Sequence, residues 1–240
     1  MGKHNIEVCL SPALFEYHFD SDSIAVIVDT LRATSAICSA FANGAEKLIP
    51  VATVEQAREM KSQGFVVAAE RDGYVLDFAD FGNSPFNFTE ERVKGKTIVY
   101  STTNGTRTIE MASSCHEVVI GSFLNISILS EWLITQNRDI VILCAGWKNK
   151  VNIEDSFYAG ALCSRLLDNS SFISNCDSAR ICMDMWSIGK DNPVAYIDKA
   201  AQRTRLKEKG LDDCIPFCHK PDSTDVIPAY KNGEIIKLEK

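Results

Sequence analysis

Residues 24–34 read IAVIVDTLRAT. Five apolar residues meet an aspartate, and an arginine and a Thr-Ser pair follow within six positions. An unbroken apolar run of this length suits a strand covered on both faces. The segment after it, ATSAICSAFANG, reads as a helix and stops at Asn43-Gly44, a good terminator. Strand, polar turn and helix make the repeating unit of an α/β fold. Asp29, Arg32, Thr34 and Ser35 therefore stand at a C-terminal strand end. Open α/β sheets bind ligands there, because helix N-termini present free N–H groups.

The same unit recurs along the first two thirds of the chain. Strand candidates are IEVCL, SIAVIVD, KLIPVA, FVVAAE, KTIVYST, EVVIGS and DIVILCAG. Helix candidates are ATSAICSAFANG, TVEQAREMKSQG, GTRTIEMASSC, LNISILSEWLITQ and NIEDSFYAGALCSRLLD. The expected architecture is a three-layer α/β/α fold with a largely parallel sheet. DVIPAY, Lys231-Asn232-Gly233 and EIIKLE then predict a C-terminal β-hairpin with an Asn-Gly turn, which makes the sheet mixed if it joins. No Pro-rich or low-complexity linker divides residues 1–240, so one domain is expected, mainly helical at about 169–210. The charged run AAQRTRLKEKG within it reads as a solvated helix face.

Composition narrows the partners. The chain is 45% hydrophobic and 24% charged, with a formal net charge of −7. An acidic surface argues against nucleic acid or an anionic membrane as partner, but a local positive pocket can still take a small anion. No apolar run is long enough to span a bilayer. The N-terminus lacks the apolar core of a signal peptide. Gly2 follows Met1, but a myristoylation signal needs Ser or Thr where Ile6 stands. Nine scattered cysteines read as reduced thiols packed as small hydrophobes, and a cytoplasmic location is expected. Cys214, Cys218 and His219 lack the second ligand pair of a usual zinc site. A homo-oligomer is left open.

Three further strand ends carry chemistry. Residues 100–108, YSTTNGTRT, repeat the first design. Thr102, Thr103, Asn104 and Thr106 supply hydroxyl and amide groups, Gly105 permits close backbone approach, and Arg107 adds charge, so the turn reads as an oxyanion cradle or a polar cap. It is not a Walker loop. Glu70 and Arg71 end another strand and open a long loop containing Gly82-Asn83-Ser84-Pro85. Loops of that length are often functional, although its phenylalanines would also pin a plain surface excursion. Glu154 and Asp155 fall in the first turn of a helix after Cys144-Ala145-Gly146, where acids also complement the helix dipole. Together these ends bring arginines, carboxylates and hydroxyls to one edge of a sheet. That set suits an anionic substrate with Mg²⁺, since hard oxygen ligands with few histidines disfavour zinc.

The blocks VDTLRATSAI, Glu70-Arg71-Asp72-Gly73, Asp80 with Gly82-Asn83-Ser84-Pro85, TTNGTR, and Cys144-Ala145-Gly146 with Glu154-Asp155 and Ala159-Gly160 resemble, in order, those of the 2-phosphosulfolactate phosphatase family. DVIPAY, with Cys218 upstream, is similar to its C-terminal block. The resemblance covers roughly residues 24–230. It departs at Ala69, where the family usually has glycine, and at Phe78-Ala79, where a Gly-Phe pair is lost; both changes are expected near the site. The resemblance implies a Mg²⁺-dependent phosphatase associated with coenzyme M biosynthesis, which hydrolyses 2-phosphosulfolactate to 3-sulfolactate and phosphate. On that reading Asp29, Arg32, Glu70, Arg71 and Asp155 are catalytic, and Asp29, Glu70 and Asp155 hold Mg²⁺. Thr34, Ser35, Asn83, Ser84, Thr102, Thr103, Asn104, Gly105, Thr106 and Arg107 bind substrate.

Rival readings keep a place. Another small anionic phosphate monoester would leave the chemistry intact. A haloacid-dehalogenase-type phosphatase also uses a strand-end aspartate, but needs a second one where Leu31 stands. A cysteine hydrolase would use Cys144, with no histidine in any block to activate it. A non-catalytic anion binder of the same fold gains nothing from carboxylates beside its ligand.

Overall fold

The alternation of apolar strands and helices is realised throughout the computed structural model, which describes residues 3–239; Gly2 lies outside the described residues. The strands are β1 (His4–Cys9), β2 (Ile24–Val28), β3 (Lys47–Pro50), β4 (Val66–Arg71), β5 (Tyr74–Val75), β6 (Thr97–Ser101), β7 (Glu117–Gly121), β8 (Ile140–Cys144), β9 (Phe172–Ile173), β10 (Pro228–Lys231) and β11 (Glu234–Lys237). The helices are α1 (Ala33–Ala42), α2 (Val54–Ser62), α3 (Glu90–Val93), α4 (Gly105–Met111), α5 (Ile126–Gln136), α6 (Ile153–Leu167), α7 (Asp177–Gly189), α8 (Pro193–Tyr196), α9 (Ala201–Glu208) and α10 (Ile215–Cys218). The short strands β5 and β9 and the single-turn helix α3 go beyond the sequence pattern.

All the strands join one mixed sheet in the order β5-β4-β6-β3-β11-β10-β7-β2-β8-β1-β9. Two parallel blocks are visible, β4-β6-β3 and β7-β2-β8-β1-β9. The β10–β11 hairpin turns at Asn232-Gly233, both at positive φ as a tight two-residue turn requires. It lies between the blocks, antiparallel to β3 on one side and to β7 on the other. Three antiparallel steps separate β3 from β7, so the two blocks run in opposite senses.

Side chains alternate across each strand and sort into separate cores. Ile24, Val26 and Val28 of β2 face α5, α6 and α7. Ala25 and Ile27 face a central core that also receives Leu48, Ala68, Ile98 and Tyr100 from the other block. Helices α1 and α4 fill that central layer, contributing Ala36, Ile37, Ala40, Phe41 and Ile109. Nine of the ten α1 residues are buried, which is why its sequence is small and apolar all round. Helix α2 covers the outer face of β4 and β6. Each block thus has helices on both faces, and α1 and α4 are shared. The convergence corrects the expectation that the polar strand ends share one edge. They come from two opposed sets of strand ends that meet across α1 and α4. Tyr100 at the end of β6 marks the junction, its hydroxyl donating to the Ala33 carbonyl at 3.1 Å.

Candidate active site

A cleft opens where the two sets of strand ends meet. Asp29, Leu31 and Arg32 line one wall, and Glu70, Asp72, Gly73 and Thr103 line the other. Asn83 and Asn104 reach it from their loops, and Trp147, Gln202, Arg205, Leu206 and Lys209 close it over.

Asp29 follows β2 directly. Its main chain is locked to the start of α1, with Thr34 N–H donating to its carbonyl at 2.9 Å and its own N–H donating to Thr34 Oγ1 at 3.3 Å. Its carboxylate has only a long 3.5 Å contact from Ala33 N–H. Burial raises its pKa well above the carboxylate range, and the charges of Asp155 and Glu70 raise it further. Arg32 is also buried, with Nη2 donating to Asn83 Oδ1 at 2.8 Å. The long loop is pinned and also reaches the cleft: Phe81 packs edge-on against Phe88, and Phe88 against Tyr100, which holds Asn83 on Arg32. Ser84 lies outside the cleft as the cap of the short turn Pro85–Asn87.

Glu70 is buried at the end of β4. Its Oε1 accepts from Thr103 N–H at 2.8 Å and from Thr103 Oγ1 at 3.1 Å, and its Oε2 accepts from Gly73 N–H at 2.7 Å. The last bond exists because Asp72-Gly73 make a tight turn with positive φ at both positions. Arg71 points elsewhere: it donates to Ala52 O, Glu70 O and Ser101 Oγ, and braces β4 against its neighbour. It does not line the cleft.

Gly105 allows the blocks to touch. A Cβ there would lie 2.8 Å from Ala33 Cβ and 3.1 Å from Asp29 Oδ2. Thr106 N–H donates to Thr102 Oγ1 and Thr106 Oγ1 to Thr102 O at the start of α4, and Ser35 bonds Thr30 O and Ser122, so these buried hydroxyls take part in holding the fold. Thr34 Oγ1 likewise accepts from Asp29 N–H. Arg107 is exposed and sits with Lys148 in an adjoining groove, outside the main cleft.

The acids of α6 exchange roles relative to expectation. Asp155 Oδ1 accepts from Thr30 N–H at 2.8 Å, and Oδ2 accepts from Gly146 N–H at 3.0 Å and Asn152 Nδ2 at 2.9 Å. It clamps the loops after β2 and β8, and its oxygens are spent. Burial pushes it up to about 6. Glu154, beside it, is buried with Oε2 unpartnered, and burial together with the Asp155 charge pushes it up to about 8.

Helix α9 is the largest departure from the sequence reading. The run AAQRTRLKEKG, expected to be a solvated face, turns Gln202, Arg205, Leu206 and Lys209 into the cleft. Gln202 Nε2 donates to Leu31 O at 3.2 Å, and Lys209 donates to Asp72 O and sits over the Tyr74 ring. Leu206, its one fully buried side chain, anchors it to the α5–α7 core. The departures at Ala69 and Ala79 pack in the outer core under α2, and Ala69 directly precedes the cleft residue Glu70.

Two rivals lose their geometry. Cys144 is fully buried, and burial with the nearby Asp155 charge pushes its thiol far from the thiolate a nucleophile needs. His219 spends Nδ1 on Ile215 O and is pulled down to about 4 by burial. Among the described residues no group of three His, Cys, Asp or Glu converges as a metal site. All nine cysteines are free, and no helix is long and apolar enough to cross a membrane.

Comparison with known proteins gives the family. The family model described as 2-phosphosulpholactate phosphatase matches residues 9–233. A protein of Caldanaerobacter subterraneus subsp. tengcongensis is 37% identical over 212 residues, 87% of this chain and 88% of its own. One of Clostridium acetobutylicum is 35% identical over 215 residues, covering 88% and 91%. One of Thermotoga maritima is 37% identical over 215 residues, covering 90% and 92%. Each carries the name "Probable 2-phosphosulfolactate phosphatase". With matches spanning both blocks and the joining hairpin's turn, the chain belongs to the 2-phosphosulfolactate phosphatase family.

Proposed function

We propose that the protein is a Mg²⁺-dependent phosphatase that hydrolyses 2-phosphosulfolactate to 3-sulfolactate and phosphate, in the cytoplasmic, coenzyme M-forming context the resemblance implies. One observation carries the reading: a buried, weakly bonded carboxylate, Asp29, shares a cleft with the guanidinium groups of Arg32 and Arg205. Hydrolysis of a phosphate ester asks for charge stabilisation on the phosphoryl oxygens and for a positioned base. Arg32 supplies the first, oriented by Asn83. Asp29 supplies the second by accepting the proton of the attacking water.

Three carboxyls crowd around Asp29, and a cation relieves that repulsion. Mg²⁺ commonly takes one or two carboxylates and completes its shell with water and substrate phosphate, so a three-acid cage is not needed. Asp29 fits as a direct holder and Glu70 as a holder through water; Asp155 does not fit, because it is fully buried behind the cleft and does not line it. When bound, the ion neutralises charge on the phosphoryl oxygens. Asp29→Asn is expected to lower turnover at least ~10³-fold, while the folded chain is retained. Phosphate release from 2-phosphosulfolactate, with Mg²⁺ and with EDTA, checks both parts. Full activity in the variant sinks the role of Asp29, and full activity in EDTA sinks the ion.

A further inference from the structure

The reaction centre accounts for Asp29, Arg32, Asn83 and Glu70. It leaves a second guanidinium, in the cover of the cleft, with no task. Arg205 is half-buried in the cleft. Its Nε donates to Gln202 Oε1 at 2.8 Å, and Gln202 is itself tied to Leu31 O. Its flat face lies over the Trp147 ring, 4.4 Å from the centroid. Among the described residues, no acceptor meets either terminal nitrogen, and no carboxylate pairs with the group. The contrast with Arg203 is instructive: Asp198 and Asp212 neutralise it two positions away. Lys209, the other α9 cation in the cleft, already donates to Asp72 O.

We infer that Arg205 binds the acid group of the substrate that is not transferred, a sulfonate or carboxylate, and that α9 makes the site prefer phosphate esters bearing such a group. This rests on the phosphatase reading above. A guanidinium fixed by one edge and one face presents two parallel N–H groups, the geometry that oxyanions accept in pairs. Arg32 stands three residues after the base, on the same turn, and takes the phosphoryl group. An acid two or three bonds from the ester oxygen then shares the cleft with Arg205, which lines its cover. The sequence also places Arg107 among the substrate-binding residues, but Arg107 lies outside the cleft. Burial also lowers the pKa of Arg205. The charge of Glu154 opposes that shift, but no carboxylate is bonded to the guanidinium, and its terminal nitrogens are left to an anion from outside.

The test compares kcat/KM for 2-phosphosulfolactate with kcat/KM for isopropyl phosphate, which lacks both the sulfonate and the carboxylate. It uses wild type, Arg205→Ala, Arg205→Lys and Gln202→Ala, with calorimetric titration of 3-sulfolactate into each. Arg205→Ala is expected to lose ~100-fold on the sulfonated ester, mostly in KM, and at least tenfold less on isopropyl phosphate. Affinity for 3-sulfolactate should fall by a similar factor, with part regained in Arg205→Lys. Gln202→Ala, which frees the Arg205 fork to swing, should show a smaller shift of the same KM type. Equal losses on both esters, or an unchanged affinity for 3-sulfolactate, overturn the inference. Should wild type hydrolyse neither ester yet bind 3-sulfolactate through Arg205, the phosphatase reading falls and the anion clamp stands.

Discussion

Asp29 and Glu154 show how burial sets the chemistry of a carboxyl more than its position in the sequence does. Both are acids at the start of a helix, where a cap or a dipole partner would be an ordinary explanation. Asp29 reaches a cleft lined with cations; Glu154 is enclosed, with one oxygen unpartnered. Glu154 has a stability consequence with a definite sign. Its pKa rises from an ordinary 4.5 to about 8 in the folded protein. The folded state keeps a proton that the unfolded chain gives up between those values, so stability is lost as pH rises through that window. Glu154→Gln removes the titration. At pH 9 the variant should melt higher than wild type, on the order of 5 °C, and at pH 5 the two should coincide. A melting-temperature series against pH checks this, and parallel curves would place the proton elsewhere. The strand-end aspartate and its arginine were legible in the sequence because their signal is local. The spent oxygens of Asp155 and the open one of Glu154 were not, because both depend on groups far away along the chain.

Among the elements, α6 and α7 meet most closely. A Cβ on Gly160 would lie 1.9 Å from the Cys182 carbonyl, so the two helices touch backbone to backbone. Gly160→Ala must push them apart, at a cost of about 1–3 kcal/mol, or roughly 3–10 °C in melting temperature. A thermal melt reads this directly, and an unchanged midpoint would mean that the pair separates freely. Strands β2, β6 and β8 and helices α1 and α6 could be read from apolar runs and stops, since burial on both faces leaves a strong local mark. Helix α9 could not. It has one fully buried residue, and a cation facing a cleft looks the same in sequence as a cation facing water. Strand β5 had a signal, Asp72-Gly73, which marks a two-residue turn; the long-loop reading passed over it.

At the scale of the whole molecule, the hairpin turn was legible at Asn232-Gly233, but its place in the sheet was not, because pairing with β3 and β7 is non-local. Ala229 pairs with Val119 of β7, and Ile235 pairs with Leu48 of β3. Deleting residues 228–239 exposes two internal strand edges, which favour aggregation. The shortened chain should lose its cooperative melt and elute as aggregate in size-exclusion chromatography. A soluble, active product would mean that α1 and α4 hold the blocks alone. The same arrangement bears on synthesis. Translation runs at about 5–20 residues per second, and every cleft residue from Asp29 to Lys209 leaves the ribosome before the two strands that close the sheet. For a few seconds the nascent chain carries all these groups while the facing edges of β3 and β7 stand open. That interval is when a growing chain is most exposed to pairing with another, and it ends when β10 and β11 fill the gap.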